Sequence, residues 1–244
     1  MKKIILLTGL LVLASSVVVF AGPVDISGWR AQTLEHTGWD GGRGGWKIDG
    51  DKAVQTRNSD ASVLLSDSLW QNTVFEGSFG VSTRSDNDWI GIVFGYTSAT
   101  DYYLFDWKQS SQALRGNGKG HEGFAVSHIT GSDVNLWSHR GADINLLATD
   151  FSSTNGWADK QMYDFTLRYT DSNVRISVSD RSNTLFSFDT YGAFSAGKVG
   201  FYSYSQRGTT FSALQSTPVP EPATMVLFGV GLAGLAAGAR RRKK

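Results

Sequence analysis

Residues 89–109 read WIGIVFGYTSATDYYLFDWKQ. Two apolar runs, Trp89–Tyr96 and Tyr102–Lys108, flank a polar turn at Thr97–Asp101. In the first run Ile90, Ile92, Phe94 and Tyr96 alternate with Trp89, Val93 and two glycines, so a strand here is apolar on both faces. Such a strand is covered on both faces, which predicts a hairpin at the centre of a sandwich or barrel. A helix is disfavoured, because Gly91 and Gly95 would each cost about 1 kcal/mol in its interior.

Working outward, Ser62–Leu65 and Thr73–Ser82 read as strands. In the second, Phe75, Phe79 and Val81 face one way and Glu76 and Ser78 the other. Ser85–Asp88 (SDND) is an acidic turn into the central hairpin. Phe124–Ile129 is a further strand, while Asn135–Asp159 lacks periodicity and is predicted to be a long excursion with a short helical piece. Tyr163, Phe165, Leu167 and Tyr169 alternate with polar residues. After Asp171-Ser172-Asn173, Val174, Ile176 and Val178 alternate again, as in a half-solvated antiparallel hairpin. Leu185–Phe188, Lys198–Tyr204 and Thr209–Leu214 complete a set of short strands without helical alternation. The predicted fold is all-β: a jelly roll of two packed antiparallel sheets.

The chain of 244 residues holds 28 Gly, only 4 Pro and no Cys. Without disulfides, its stability must come from burial or from bound metal. Seven of the 23 Lys and Arg residues (Lys2, Lys3 and Arg240–Lys244) and one of the 22 acids (Glu221) lie in the terminal segments, which leaves a body near −5. That balance argues against a nucleic-acid partner, which would need a basic stripe, and it suits solubility and divalent cations.

Residues 1–21 carry the marks of a secretory signal: Lys2 and Lys3, an apolar run Ile4–Phe20, and Val19 and Ala21 placed for cleavage after Ala21. At the other end Pro218, Pro220 and Pro222 stiffen a linker. An apolar run, Ala223–Ala239, follows, and then the basic cluster Arg240–Lys244. The run is long enough to span a bilayer as a helix with the basic end cytoplasmic. The predicted organisation is therefore a signal helix (1–21), a sandwich (22–216) and a tail (217–244).

Two resemblances sharpen this reading. The tail, with Pro220-Glu221-Pro222, the span containing FGVGLAGLAAG, and Arg240, Arg241 and Arg242 among the terminal bases, resembles a PEP-CTERM sorting signal. That resemblance implies processing by an exosortase-type membrane enzyme and release to the surface or exopolysaccharide (biofilm) matrix of a Gram-negative bacterium. The body resembles the thrombospondin C-terminal domain, a lectin-like jelly roll, through DNDWIGIVFGY at 86–96, Tyr102-Tyr103, DWKQ at 106–109 and GKVGFYSYSQ at 197–206. Asn58-Ser59-Asp60 with Val63–Asp67 resembles that domain's opening. The calcium-repeat array of the animal proteins is missing, so their adhesion partners are not carried over.

Several residues are candidates for chemistry. Asp86, Asn87 and Asp88 at the hairpin mouth, with Asn58 and Asp60 on an earlier loop, have the hard oxygens calcium prefers, and the resemblance makes them candidate ligands; Asx turns are the other reading. Asp106, inside an apolar strand, either pairs with Lys108 or Arg115 or serves as a ligand. Trp29, Trp39, Trp46, Trp137 and Trp157 occupy loop-like contexts, where an indole face either packs over the sandwich or stacks on a sugar ring. A polysaccharide hydrolase needs two carboxylates facing one sugar. Glu35, Glu76, Glu122 and Glu221 stand in no paired pattern, so that alternative would require a dispersed pair. His36, His121, His128 and His139 show no metal spacing, and Gly116–Gly120 lacks a phosphate-loop pattern. The sequence thus predicts an exported, non-enzymatic protein that binds exopolysaccharide or another surface partner, with calcium as the candidate cofactor.

Overall fold

A computed structural model describes residues 20–34 and 41–219. Most of the predicted signal, Trp39, Glu35 and His36, and the tail from Pro220 with its predicted membrane helix lie outside them. The described chain forms seventeen strands: β1 (Gly22–Pro23), β2 (Arg30–Thr33), β3 (Trp46–Asp49), β4 (Lys52–Gln55), β5 (Ser62–Leu65), β6 (Thr73–Val81), β7 (Trp89–Ser98), β8 (Asp101–Lys108), β9 (Gln112–Leu114), β10 (Gly118–Gly120), β11 (Gly123–Ile129), β12 (Ile144–Asp150), β13 (Met162–Tyr169), β14 (Asn173–Ser179), β15 (Thr184–Tyr191), β16 (Lys198–Tyr204) and β17 (Thr209–Pro218). One sheet runs β15-β14-β13-β6-β17-β4-β3, with β1 on β17, and the other runs β12-β11-β8-β7-β16-β5-β2; β9 and β10 pair as a small hairpin. Each strand pairing is antiparallel. The fold is a jelly roll of two packed antiparallel sheets, as the alternation predicts, and lectin-like, as the resemblance implies.

The predicted central hairpin is β7–β8, third and fourth of seven strands in its sheet. Its two apolar faces serve two cores. Ile90, Ile92, Phe94, Phe105 and Trp107 point between the sheets and meet Phe75, Phe79, Phe165, Phe201 and Phe211. Rings there are stacked or edge-on, such as Phe201–Phe211 at 4.1 Å and Trp107–Phe124 at 4.4 Å. Full burial of each such ring contributes about 1.5–3 kcal/mol. On the opposite face Trp89, Val93, Tyr102 and Leu104, with Tyr202 and Tyr204, form a second core. It is covered by Leu34 and by Val134, Leu136 and Trp137 from a strap at 130–143. The sheet is thus buried from both sides.

Two boundaries need correction. The expected helical piece within Asn135–Asp159 is absent; the segment supplies an Asn135–Arg140 bridge and the edge strand β12. An edge strand takes its hydrogen bonds from one neighbour and leaves much of its surface in water, so it needs no apolar periodicity. At the other end β17 continues to Pro218, two residues past the expected domain limit at 216.

Candidate functional site

Asp88 immediately precedes β7 and Lys108 ends β8, where Trp89 and Lys108 are register partners. Antiparallel pairing therefore brings the acid and the amine together at the open end of the hairpin. The Lys108 ammonium donates to Asp88 Oδ1 and, at 3.2 Å, to the Asn87 carbonyl. It lies 4.5 Å from the ring centre of Trp137 and 5.7 Å from that of Trp89. Lys108 is 0 % and Asp88 3 % exposed. Burial lowers the pKa of Lys108, against the opposing pull of Asp88 and Asp86. The Asp86 carboxyl lies close enough to that of Asp88 to feel its charge. Burial first, then the charge of Asp88, pushes the pKa of Asp86 up to about 6.

This mouth joins four of the five expected calcium ligands. Asn58 Nδ2 donates to Asp86 Oδ2 at 2.6 Å, and Asn87 N donates to Asp86 Oδ1 at 3.1 Å. Asp60 instead accepts its neighbour's amide, Ala61 N, at 2.9 Å. Several of the oxygens are already engaged by protein donors. Asp88 Oδ1 takes Lys108, Asn87 O takes Lys108 and Gln109 N, and the Asp88 carbonyl takes Trp157 Nε1 at 3.0 Å. Calcium needs about six to eight oxygens free to face it. Among the described residues no group of three or more His, Cys, Asp or Glu is arranged to hold a metal. The cation that this mouth holds in the structure is the ammonium of Lys108.

Asp106 pairs with neither Lys108 nor Arg115. Both its oxygens lie 3.0 Å from Nε2 of His139, on the strap, and both groups are buried. Two residues along the same strand face, Lys108 is already claimed by Asp88, so Asp106 finds its partner across the second core. Burial raises the Asp106 pKa, and His139 opposes the rise. His139 holds a left-handed backbone, φ 53°. Around this pair the hydroxyls of Tyr102, Tyr202 and Ser127 and the ring nitrogens Trp89 Nε1, Trp137 Nε1 and His139 Nδ1 are buried without a protein partner.

The tryptophans expected to offer sugar-stacking faces are structural where the structure describes them. Trp29 packs on Phe75 and Phe201, and Trp137 and Trp157 are buried. Half-buried Trp46 leans on Phe211 and donates Nε1 to Ser62 Oγ at 3.2 Å. Each covers an apolar region, which outweighs leaving a large ring in water. Glu76 accepts Thr166 Oγ1 across the β6–β13 pair.

A cleft that the sequence did not reveal opens beside the mouth. It has a volume of about 270 Å³ and is lined by Thr154, Asn155, Gln161 and Asp180 beside the buried rings of Trp107, Phe124 and Tyr163. The loop at 152–161 forms one wall and is tied down at both ends. Trp107 Nε1 donates to Asn155 O at 2.5 Å, and Tyr163 Oη accepts Ala158 N at 2.7 Å. Trp157 reaches back to Asp88, and Gln109 Nε2 donates to Asp159 Oδ1. The signal for it was the Trp107–Gln109 end of the central hairpin; the loop's own composition gave none.

The sequence profile of the thrombospondin C-terminal region matches residues 43–218. The chain belongs to this family. The PEP-CTERM protein-sorting motif matches residues 218–243, directly after the sandwich. Thrombospondin-4 of Bos taurus is 29% identical over 186 residues, covering 68% of this chain and 19% of that protein. Thrombospondin-3 of Homo sapiens is 28% identical over 194 residues, covering 70% and 20%. This thrombospondin-like chain therefore spans about a fifth of the length of the curated relatives it matches. Among solved structures, the VIP36 exoplasmic/lumenal domain in its Ca2+/Man3GlcNAc-bound form aligns with a TM-score of 0.52 at 10% identity, over 80% of this chain and 87% of that one. Its metal-free form aligns with a TM-score of 0.51 at 9% identity, over 80% and 86%. At these identities the likeness concerns the fold.

Proposed function

We propose that this thrombospondin-like sandwich is an exported, non-enzymatic surface or matrix protein that binds polysaccharide in the cleft between β8, β11, β13, β15 and the 152–161 loop. In this reading a signal ending at Ala21 exports the chain. An exosortase-type enzyme then processes the tail around Pro220, Glu221 and Pro222, with Arg240, Arg241 and Arg242 on the cytoplasmic side. The observation that carries the binding reading is the cleft itself, where amide, hydroxyl and carboxylate groups of Thr154, Asn155, Gln161 and Asp180 converge above buried aromatic rings. A concave site with a few convergent polar groups is the usual form of a small-ligand site, and sugars present hydroxyls that such groups can bind. The mannose-bearing VIP36 structure is support from fold alone. The rim offers one carboxylate, Asp180, whereas glycoside hydrolysis generally takes two. Calcium enters this reading only as a competitor of Lys108 for Asp88.

Affinity electrophoresis through gels containing soluble polysaccharides tests the reading, with reducing-sugar release measured on the same samples. Retention should fall about tenfold or more in Asn155→Ala/Gln161→Ala, a loss of about 1.4 kcal/mol. Sugar release should stay at background. Retention indifferent to both substitutions, or release of reducing ends, would overturn it.

A further inference from the structure

The hairpin mouth has the composition of a reaction site as much as of an ion pair. Lys108 and Asp88 are in direct contact, both are buried, and Trp137 and Trp89 lie beside the amine. A second carboxyl, Asp86, sits two residues before Asp88 in the same turn, half-buried and held in place by Asn58 Nδ2 and Asn87 N. We propose that Lys108 and Asp88 condense to an intramolecular isopeptide bond, with Asp86 as the acid–base group.

The step balances without any co-reactant. A proton passes within the pair from the ammonium to the Asp88 carboxylate, leaving a neutral amine and a neutral acid. The Nζ lone pair attacks Asp88 Cγ and the C–N bond forms. Asp86 gives its proton to the departing hydroxyl as the C–O bond breaks, and takes one back from the nitrogen. One water leaves through the half-exposed Asp86–Asn87 edge, Asp86 ends as it began, and nothing is oxidised or reduced.

The surroundings favour this course. A buried ion pair pays the desolvation of two charges, and the amide replaces both with one neutral group. Burial lowers the lysine's hold on its proton, while Asp86 keeps its own proton to a higher pH than an ordinary aspartate. Contact between amine and carboxyl supplies the near-attack placement that makes a unimolecular condensation fast. The product would close the open end of the β7–β8 hairpin in a chain that has no cysteine with which to do so.

Trypsin provides the test on the purified full chain. There is no Lys or Arg between Ser85 and Lys108, and Arg115 is the next site after it. With the bond in place, trypsin does not cut after Lys108. The digest then yields Ser85–Arg115 as one peptide, lighter than its sequence by one water, with fragment ions missing between Asp88 and Lys108. In Lys108→Arg the positive charge remains, cleavage after 108 returns and the mass is that of the sequence. Asp86→Asn keeps the amine and acid in place and should also give the uncondensed mass. Complete cleavage after Lys108 in the native protein, with no loss of water, would reduce the pair to a salt bridge and overturn the proposal. A bond that persists in Asp86→Asn would overturn the role given to Asp86.

Discussion

Tyr169 and Tyr202 are both buried, but they differ in what their hydroxyls do. Tyr169 Oη donates to the Ser195 carbonyl, and burial pushes its phenol up to about 12. Tyr202 Oη has no protein partner and lies in the second core near Asp106. Tyr169→Phe should therefore cost about 1 kcal/mol in urea unfolding, and Tyr202→Phe should be neutral or stabilising. An equal loss in both would mean that bound water fully satisfies Tyr202. A second prediction concerns Asp86 in the Lys108→Arg protein, where no amide can form. Its folded pKa near 6 exceeds the reference 3.8, so its contribution favours the fold below about pH 4 and is lost as pH rises through 6. The thermal midpoint should fall across that window, and Asp86→Asn in the same background should flatten the slope. At this scale the sequence was a partial guide. It singled out Asp106 because an acid inside an apolar strand needs a partner, and Asp86 and Asp88 as hard oxygens that the family resemblance made candidate calcium ligands. It did not name those partners, because Lys108 meets Asp88 only through hairpin register and His139 arrives from a strap thirty-three residues away in sequence.

Among the elements, the central hairpin and β13–β14 were legible because their pattern repeats at the period of a strand. The edge strand β12 was not, since residues 145–147 of it are exposed and follow no alternation. The loop-borne tryptophans misled for a related reason. Loop context says where the backbone runs, while the ring's position depends on which core lacks a cover. Gly91 makes the same point from the backbone side. A Cβ there would sit 2.0 Å from the carbonyl oxygen of Phe105 on the paired strand. Gly91→Ala should push β7 and β8 apart and cost about 3 kcal/mol, seen as a lower urea midpoint. Gly22→Ala controls for losing a glycine as such, since nothing lies within 4 Å of its added Cβ and its backbone is not left-handed. A Gly91→Ala protein as stable as that control would show that the strands have slack.

For the whole molecule, Lys108 in the acidic mouth predicts a fold that does not depend on calcium. Thermal unfolding with calcium and with chelator should coincide. A ligand bound only by the folded state at one hundred times its dissociation constant would add about 2.7 kcal/mol and several degrees. A shift of that size, lost in Asp88→Ala, would return calcium to the mouth.

The path of β17 has a mechanical consequence. Pro218 pairs with Thr73 at one end of β6, and Thr209 pairs with Val81 at the other. The sorting motif leaves from the Pro218 end. The cleft's Tyr163 is the register partner of Phe79, close to the Val81 end. A chain held by its tail and gripping polymer at the cleft therefore carries tension lengthwise along β6 and β17. Their ladder bonds run across that tension, so they share the load in shear and do not open one after another like a zipper. A surface protein wired this way should resist tugging from a moving matrix far better than the same fold tethered through an edge strand such as β12.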